Sequence, residues 1–381
     1  MLRSPIPARP EAIPLFLPYS PSTAPGGAAT PLATPADLED QVPLDAGGAE
    51  FVGRRRSEIA EIFAGRDDRL TVVVGPCSIH DPVAALDYAG RLEALARAYA
   101  DDLLVVMRVY LEKPRTVGGW KGIVNDPRLD GSFEINLGLG LARRLLADIT
   151  RLGLACGTEF LDTLLGRYYA DLVSWGSIGA RTVESQVHRG LASGLPMTVG
   201  FKNRTDGDVA VAVDAMCAAR TPHCLPALTR GGSPALLGTR GNDRTHLVLR
   251  GGTGGPNFSS PCVRAAGRIL RRHGLSPYVM VDCSHGNSGK VPERQPAVAS
   301  SLAERIGSGD RAIAGVMLES NLVGGAQDPA QGRLVYGRSI TDPCLSWEAT
   351  VPVLGELALA VRARRRLGCA SRSRSMAEIS G

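Results

Sequence analysis

Aromatic side chains are scarce in this chain: Phe, Trp and Tyr together make up 5% of its 381 residues. So few rings leave little stacking surface for unpaired bases. The arginines form no continuous basic stripe, so a formal net charge of +5 does not point to a nucleic-acid partner. No charged segment leading into an apolar run opens the sequence, and no run approaches about 18 apolar residues, which argues against a secretory leader or a membrane span. The eight cysteines include no CxxC pair, so neither a disulfide framework nor a structural zinc knuckle is expected. A GxGxxG turn after the first strand is missing, as is the GxxxxGK[ST] spacing of a P-loop, and dinucleotide and ATP chemistry lose their usual signals. A cytoplasmic protein is the expectation.

What is present is a hydrophobic fraction of 44%, enough for a large core. Residues 1–50 are rich in Pro, Ala, Gly and Thr and read as an N-terminal extension that need not join that core. From residue 51 short apolar runs alternate with longer amphipathic segments. The spacing predicts strands over 71–75, 104–109, 154–158, 172–178, 197–201, 246–249, 278–281 and 313–318, with helices such as 83–99 and 134–152 between them. Near-continuous apolar strands shielded by helices are what a parallel sheet requires, and eight of them predict a closed (β/α)₈ TIM barrel over 51–366. The Gly- and Pro-punctuated run 224–237 breaks the rhythm and predicts an inserted hairpin before the sixth barrel strand. Residues 367–381 read as a flexible tail. Arg54, Arg55 and Arg56, and later Arg362, Arg364, Arg365 and Arg366, are expected on solvated helix faces.

Polar residues cluster where these strands end. Cys77 follows the first, Arg108 and Lys113 flank the end of the second, Glu159 closes the third, and Arg181 follows the fourth. Lys202 ends the fifth, Arg250 follows the sixth, His285 the seventh and Glu319 the eighth. In a barrel all of these ends share one mouth. Cys77, His285, Glu319 and Asp342 together offer a thiolate, an imidazole and two carboxylates, a set that suits Mn²⁺, Fe²⁺, Co²⁺ or Zn²⁺ better than Mg²⁺. Arg108, Lys113, Arg115, Arg181, Lys202 and Arg250 are too many cations for strand ends to hold without counterions; phosphate and carboxylate groups of a small substrate would supply them. The turn Lys113-Pro114-Arg115-Thr116 adds a cradle for a terminal phosphate.

At these residues the sequence resembles the type I family of 3-deoxy-D-arabino-heptulosonate 7-phosphate synthases, also called phospho-2-dehydro-3-deoxyheptonate aldolases. The matching phrases are GPCSIHDP from Gly75, MRVYLEKPRT from Met107, GWKG from Gly119, SWGSIGARTVESQVHR from Ser174 and GFKNRTDG from Gly200. They continue with LRGG from Leu249, DCSHGNSGK from Asp282, GVMLES from Gly315 and YGRSITDPC from Tyr336. The resemblance implies a (β/α)₈ barrel that condenses phosphoenolpyruvate with erythrose 4-phosphate and water and releases phosphate, the entry step of the shikimate pathway. It implies one divalent metal ion per subunit, held by Cys77, His285, Glu319 and Asp342. Phosphoenolpyruvate contacts would fall on Arg108, Lys113, Arg181, Lys202 and Arg250. Those for the aldose phosphate would fall on Arg115 and Thr116, and Pro114, Glu159 and Ala180 complete the substrate-binding set. Lys113, Glu159 and His285 are the expected acid and base groups, and a homodimer or homotetramer the expected assembly.

Two departures bear on regulation. Gly166, Arg167, Pro196, Leu225 and Ala227 do not reproduce the polar and aromatic pattern of the phenylalanine-sensitive form, which implies altered or absent aromatic amino-acid feedback. Thr229-Arg230-Gly231-Gly232-Ser233 also differs from the family's usual phrase. A synthase using another aldose phosphate, such as arabinose 5-phosphate, is the nearest alternative. A non-catalytic regulator that binds phosphorylated metabolites is the other.

Overall fold

A computed structural model describes residues 30–115 and 117–379, the side chains only as far as residue 368. In chain order its first ten strands are β1 (Leu70–Gly75), β2 (Leu103–Arg108), β3 (Ala155–Glu159), β4 (Trp175–Ile178), β5 (Thr198–Lys202), β6 (Cys224–Leu228), β7 (Pro234–Gly238), β8 (Thr245–Leu249), β9 (Val279–Asp282) and β10 (Ile313–Glu319). Eight of them close a barrel in the order β1-β10-β9-β8-β5-β4-β3-β2, every neighbouring pair parallel. The helices are α1 (Pro35–Gln41), α2 (Ala46–Phe63), α3 (Pro82–Ala98), α4 (Ile135–Arg151), α5 (Gln186–Gly194), α6 (Ala210–Ala219), α7 (Ser260–Arg272), α8 (His285–Ser288), α9 (Gln295–Gly307) and α10 (Trp347–Ile379).

The barrel strands are buried end to end because each has two apolar faces to hide. Side chains alternate across a strand. Leu70, Val72 and Val74 of β1 therefore join the outer core under the helices, and Val73 points into the barrel. In β2, Leu103, Val105 and Met107 face outward, Leu104 and Val106 inward. The interior cluster is finished by Ile59, Ile62 and Phe63 of α2, which plug the end of the barrel opposite the strand C-termini. Phe63 stacks on the His246 ring at 3.7 Å, and His246 Nε2 accepts the Trp175 indole N–H at 2.9 Å. Burying a ring such as Phe63 contributes about 1.5–3 kcal/mol.

The eight predicted barrel strands all form, within a few residues of their expected ends, and the inserted hairpin is β6 paired antiparallel with β7, Ala227 opposite Ala235. The extension is a different matter. Residues 1–29 lie outside the described residues, but 30–50 do not stay apart: Thr34 caps α1 in a capping box, and Leu38 and Val42 are buried in the main core. Arg143 of α4 reaches this segment, donating to the Val42 carbonyl at 2.9 Å while pairing with Asp171. Apolar residues spaced at 38 and 42 were too sparse to outweigh the surrounding Pro and Gly.

Several arginines expected on solvated faces are structural instead. Arg56 donates to the carbonyls of Val173 and Ala170, tying α2 to the turn before β4. Arg364 is 6% exposed and donates to the Asp68 carbonyl. Arg362 and Arg365 converge on buried Asp102. Beyond residue 366, where a flexible tail was expected, the backbone continues as α10 to Ile379. Among the described residues no helix is long and apolar enough to cross a membrane.

Candidate active site

The C-terminal ends of the barrel strands surround a cavity of about 590 Å³. Its walls carry Arg108, Lys113, Pro114, Glu159, Ala180, Arg181, Lys202, Arg250, His285, Glu319 and Asp342, so one space collects nearly every residue picked out by strand-end chemistry. Arg115 does not line this wall; it is exposed on the loop after β2. Thr116 lies outside the described residues.

Three donors converge on one side. One ligand atom each from Cys77, Glu319 and Asp342 lies within 4.8 Å of the other two, and Cys77 and Glu319 are almost completely buried. The Lys113 ammonium touches the Cys77 sulfur at 2.8 Å and Asp342 Oδ2 at 2.9 Å. Burial pushes the Cys77 thiol up to about 11, with the charge of Glu319 acting in the same direction. Burial also pushes Asp342 upward, but the charge and hydrogen bond of Lys113 reverse this and hold its carboxyl well below the usual range. Glu319 is likewise lowered against burial, by His285, Arg108 and Lys113. Lys113 itself is raised: burial works against its charge, and Cys77, Glu319 and Asp342 outweigh burial.

Buried acidic donors around one point need a cation. A thiol with two carboxylates can hold one divalent metal ion, and this trio fits that need. His285 stands beside it, Nε2 3.7 Å from Glu319 Oε1, while Nδ1 lies 2.9 Å from Asp282 and 2.6 Å from the Ser284 hydroxyl. A ring nitrogen engaged by a carboxylate leaves the other free to face an ion, the usual support of a metal-bound histidine.

Cations line much of the same mouth. Arg108 is 1% exposed, donates to the carbonyls of Pro76 and Cys77 and to Glu319, and lies 3.8 Å from the Tyr110 ring centroid. Lys202 is held 3.3 Å from Asp282, the same acid that orients His285. Asp282 is held well below the carboxylate range although burial opposes it, because His285 and Lys202 flank it. Arg181 and Arg250 form no ion pair among the described residues and are left to meet an anionic ligand.

The loops after β8 and β9 are locked together behind these cations. Gly251 has φ +69°, and a Cβ there would lie 2.5 Å from the Gly286 carbonyl carbon; the Gly286 N–H donates to the Arg250 carbonyl at 3.0 Å. Arg250 and His285 are thereby set in fixed relation.

Sequence reading passed over Tyr110, Asp282, Lys290 and Arg294, all but Asp282 on the cavity wall. Asp282 had a usable signal, an acid ending a strand three residues before a candidate ligand histidine. Cys344, two residues past Asp342, is buried near Cys77, and burial raises its thiol far above the ordinary range.

Comparison with known proteins agrees with this geometry. Residues 40–354 match the DAHP synthetase I family. A phospho-2-dehydro-3-deoxyheptonate aldolase of Corynebacterium glutamicum is 51% identical over 342 residues, covering 88% of this chain and 93% of its own. The Phe-sensitive enzyme of that name from Escherichia coli is 51% identical over 335 residues, covering 88% and 95%. The solved structure of the Francisella tularensis aldolase superposes with a TM-score of 0.87 at 50% identity, over 88% of this chain and 98% of that one. On sequence, fold and the placement of its polar residues, the chain belongs to the DAHP synthetase I family.

Proposed function

We propose that the barrel mouth joins phosphoenolpyruvate to erythrose 4-phosphate, with water, giving 3-deoxy-D-arabino-heptulosonate 7-phosphate and phosphate. The observation that carries this reading is a single cavity in which unpaired arginines face a buried Cys-Glu-Asp donor set. C3 of phosphoenolpyruvate attacks the aldehyde carbon, water adds at C2, and the C2–O bond breaks to release phosphate. Arg181, Arg250 and Lys202 grip the phosphate of phosphoenolpyruvate, and Arg108 with Lys113 holds its carboxylate. Lys113, kept protonated by its acidic neighbours, delivers a proton to the aldehyde oxygen. In this reading Glu159, 7% exposed at the end of β3, takes a proton from the attacking water. Cys77, Glu319, Asp342 and His285 would hold Mn²⁺, Fe²⁺, Co²⁺ or Zn²⁺, which as a Lewis acid polarises a substrate oxygen.

Arg115 and Thr116 take the aldose phosphate in this reading. Presenting erythrose 4-phosphate and arabinose 5-phosphate side by side and identifying the sugar-acid product by mass tests it. A seven-carbon product supports the reading, and an eight-carbon product from the five-carbon sugar alone overturns it.

Feedback is altered in the same reading. Position 225 is Leu and 227 is Ala on β6, and Arg230 of the hairpin turn is engaged with the N-terminal segment through Glu39 and the Ala36 N–H. Titrating phenylalanine, tyrosine and tryptophan against initial rate checks this; strong inhibition by any one contradicts it. A homodimer or homotetramer in the cytoplasm completes the proposal. The reducing cytoplasm suits a free Cys77 ligand.

A further inference from the structure

Glu112 sits one residue before Lys113, yet its side chain takes no part in the donor cluster. It is 3% exposed, and its Oε2 accepts the Asp162 N–H at 3.2 Å and the Tyr169 hydroxyl at 3.4 Å. Both partners belong to the segment after β3, a rigid platform: the Asp162 carboxylate caps the Leu164 and Leu165 N–H groups, and Tyr169 is fully buried against Phe160. Among the described residues Glu112 has no cationic partner. The charged groups facing it from that platform are Asp162 and Glu159, both acidic, with Tyr169 as the third titratable neighbour. On its own loop, Lys113 is turned away toward Cys77 and Asp342.

The backbone of Glu112 forms the neck of the substrate loop. It bridges antiparallel to Gly122, and the Lys113 N–H donates to the Lys121 carbonyl at 2.8 Å. Gly122, at φ +124°, lets the returning chain press on this neck; a Cβ there would lie 2.3 Å from the Leu111 carbonyl oxygen. Pro114 and Arg115, which follow the neck, are placed by how it is held, whereas the Lys113 ammonium is fixed by Cys77 and Asp342. A buried carboxylate without a cation weakens folding, and a glutamine could meet the same two donors at smaller desolvation cost. What the charge adds is strength, because hydrogen bonds to an anion are roughly twice as strong as neutral ones.

We propose that Glu112 is a positioning residue: its charged carboxylate clamps the neck of the substrate loop to the Asp162–Tyr169 platform and so sets where Pro114 and Arg115 meet the aldose phosphate, while the Lys113 ammonium keeps its own anchors on Cys77 and Asp342. The inference rests on the substrate assignment above. Burial pushes the Glu112 carboxyl up to about 7, the two hydrogen bonds opposing it only in part. The two hydrogen bonds that hold the neck therefore strengthen as the carboxyl loses its proton through neutrality, while burial goes on opposing the charge. Stability runs the other way, since a carboxyl raised on folding favours the folded state most below its ordinary range and loses that contribution as pH passes about 7.

The test is steady-state phosphate release with each substrate varied, from about pH 6 to 9, for the wild type and Glu112→Gln. At pH 8 the variant is expected to melt no lower than the wild type yet to show a KM for erythrose 4-phosphate raised roughly fivefold, because two hydrogen bonds to an anion become weaker bonds to a neutral amide. Its kcat and its KM for phosphoenolpyruvate should stay within about twofold. The ratio of the two proteins' aldose KM values should fall toward one at pH 6; titration of the substrate's own phosphate is common to both and cancels. A ratio independent of pH, or a loss falling equally on kcat and both KM values, overturns the clamp. Tyr169→Phe is the second variant: weaker support for the anion should move the inflection to higher pH, and an unmoved inflection also counts against the proposal. A wild type that turns over no erythrose 4-phosphate would overturn the substrate assignment itself, a failure visible before any variant is compared.

Discussion

The Lys113 ammonium lies 2.8 Å from the Cys77 sulfur, so the proposed proton donor and a proposed metal ligand share one contact. In the proposed mechanism Lys113 therefore neutralises the donor set besides holding the phosphoenolpyruvate carboxylate and serving the aldehyde oxygen. Lys113→Met should lower kcat by roughly 10²–10⁴, the usual range for losing a general acid. Metal uptake should survive, because the three acidic donors remain. Initial rates with metal content measured on the same sample check both halves; a variant within tenfold of wild-type kcat contradicts the acid role.

His246 at the barrel floor gives a stability prediction remote from the chemistry. Burial lowers its imidazole to about 3, so folding stability tied to the neutral ring is present above about pH 6.5 and lost as pH falls toward 3, on the order of a few kcal/mol. His246→Leu should shed this acid dependence. At pH 7 it should cost about 1–3 kcal/mol, since the Trp175 N–H loses its buried acceptor. Thermal melts of both proteins between about pH 7 and 5 decide it; parallel shifts in the two would contradict the assignment.

Gly251→Ala should loosen the junction between the loops after β8 and β9. The added methyl meets Gly286 and Asn287 backbone atoms at 2.5–2.6 Å, in a left-handed conformation that disfavours Ala. A stability loss of about 1–3 kcal/mol is expected, with a higher KM for phosphoenolpyruvate because Arg250 moves. Unchanged KM in a folded variant would show that the loop junction does not set Arg250.

How far the sequence carried this reading differs from element to element. The strand through Val72, Val73 and Val74 was legible because a strand buried on both faces is apolar throughout, and Arg108 or Lys202 stood out because a cation at such a strand's end demands a reason. The joining of residues 30–50 to the core was not legible: Leu38 and Val42 are held by tertiary partners, Arg143 among them, that no local window contains. The same holds for Arg56 and Arg364, whose carbonyl acceptors are more than 100 residues away. Glu112 was inside a quoted motif and still missed, since only burial beside Asp162 and Tyr169 distinguishes it from a surface acid.

The central claim is metal-dependent condensation at the barrel mouth. Its most direct test is phosphate release from phosphoenolpyruvate with erythrose 4-phosphate, before and after chelation and with single divalent ions restored. The account predicts turnover that chelation abolishes and that Mn²⁺, Fe²⁺, Co²⁺ or Zn²⁺ brings back in the wild type but not in Cys77→Ala. Full turnover in the chelated protein, or none in a folded and metal-loaded one, would contradict it.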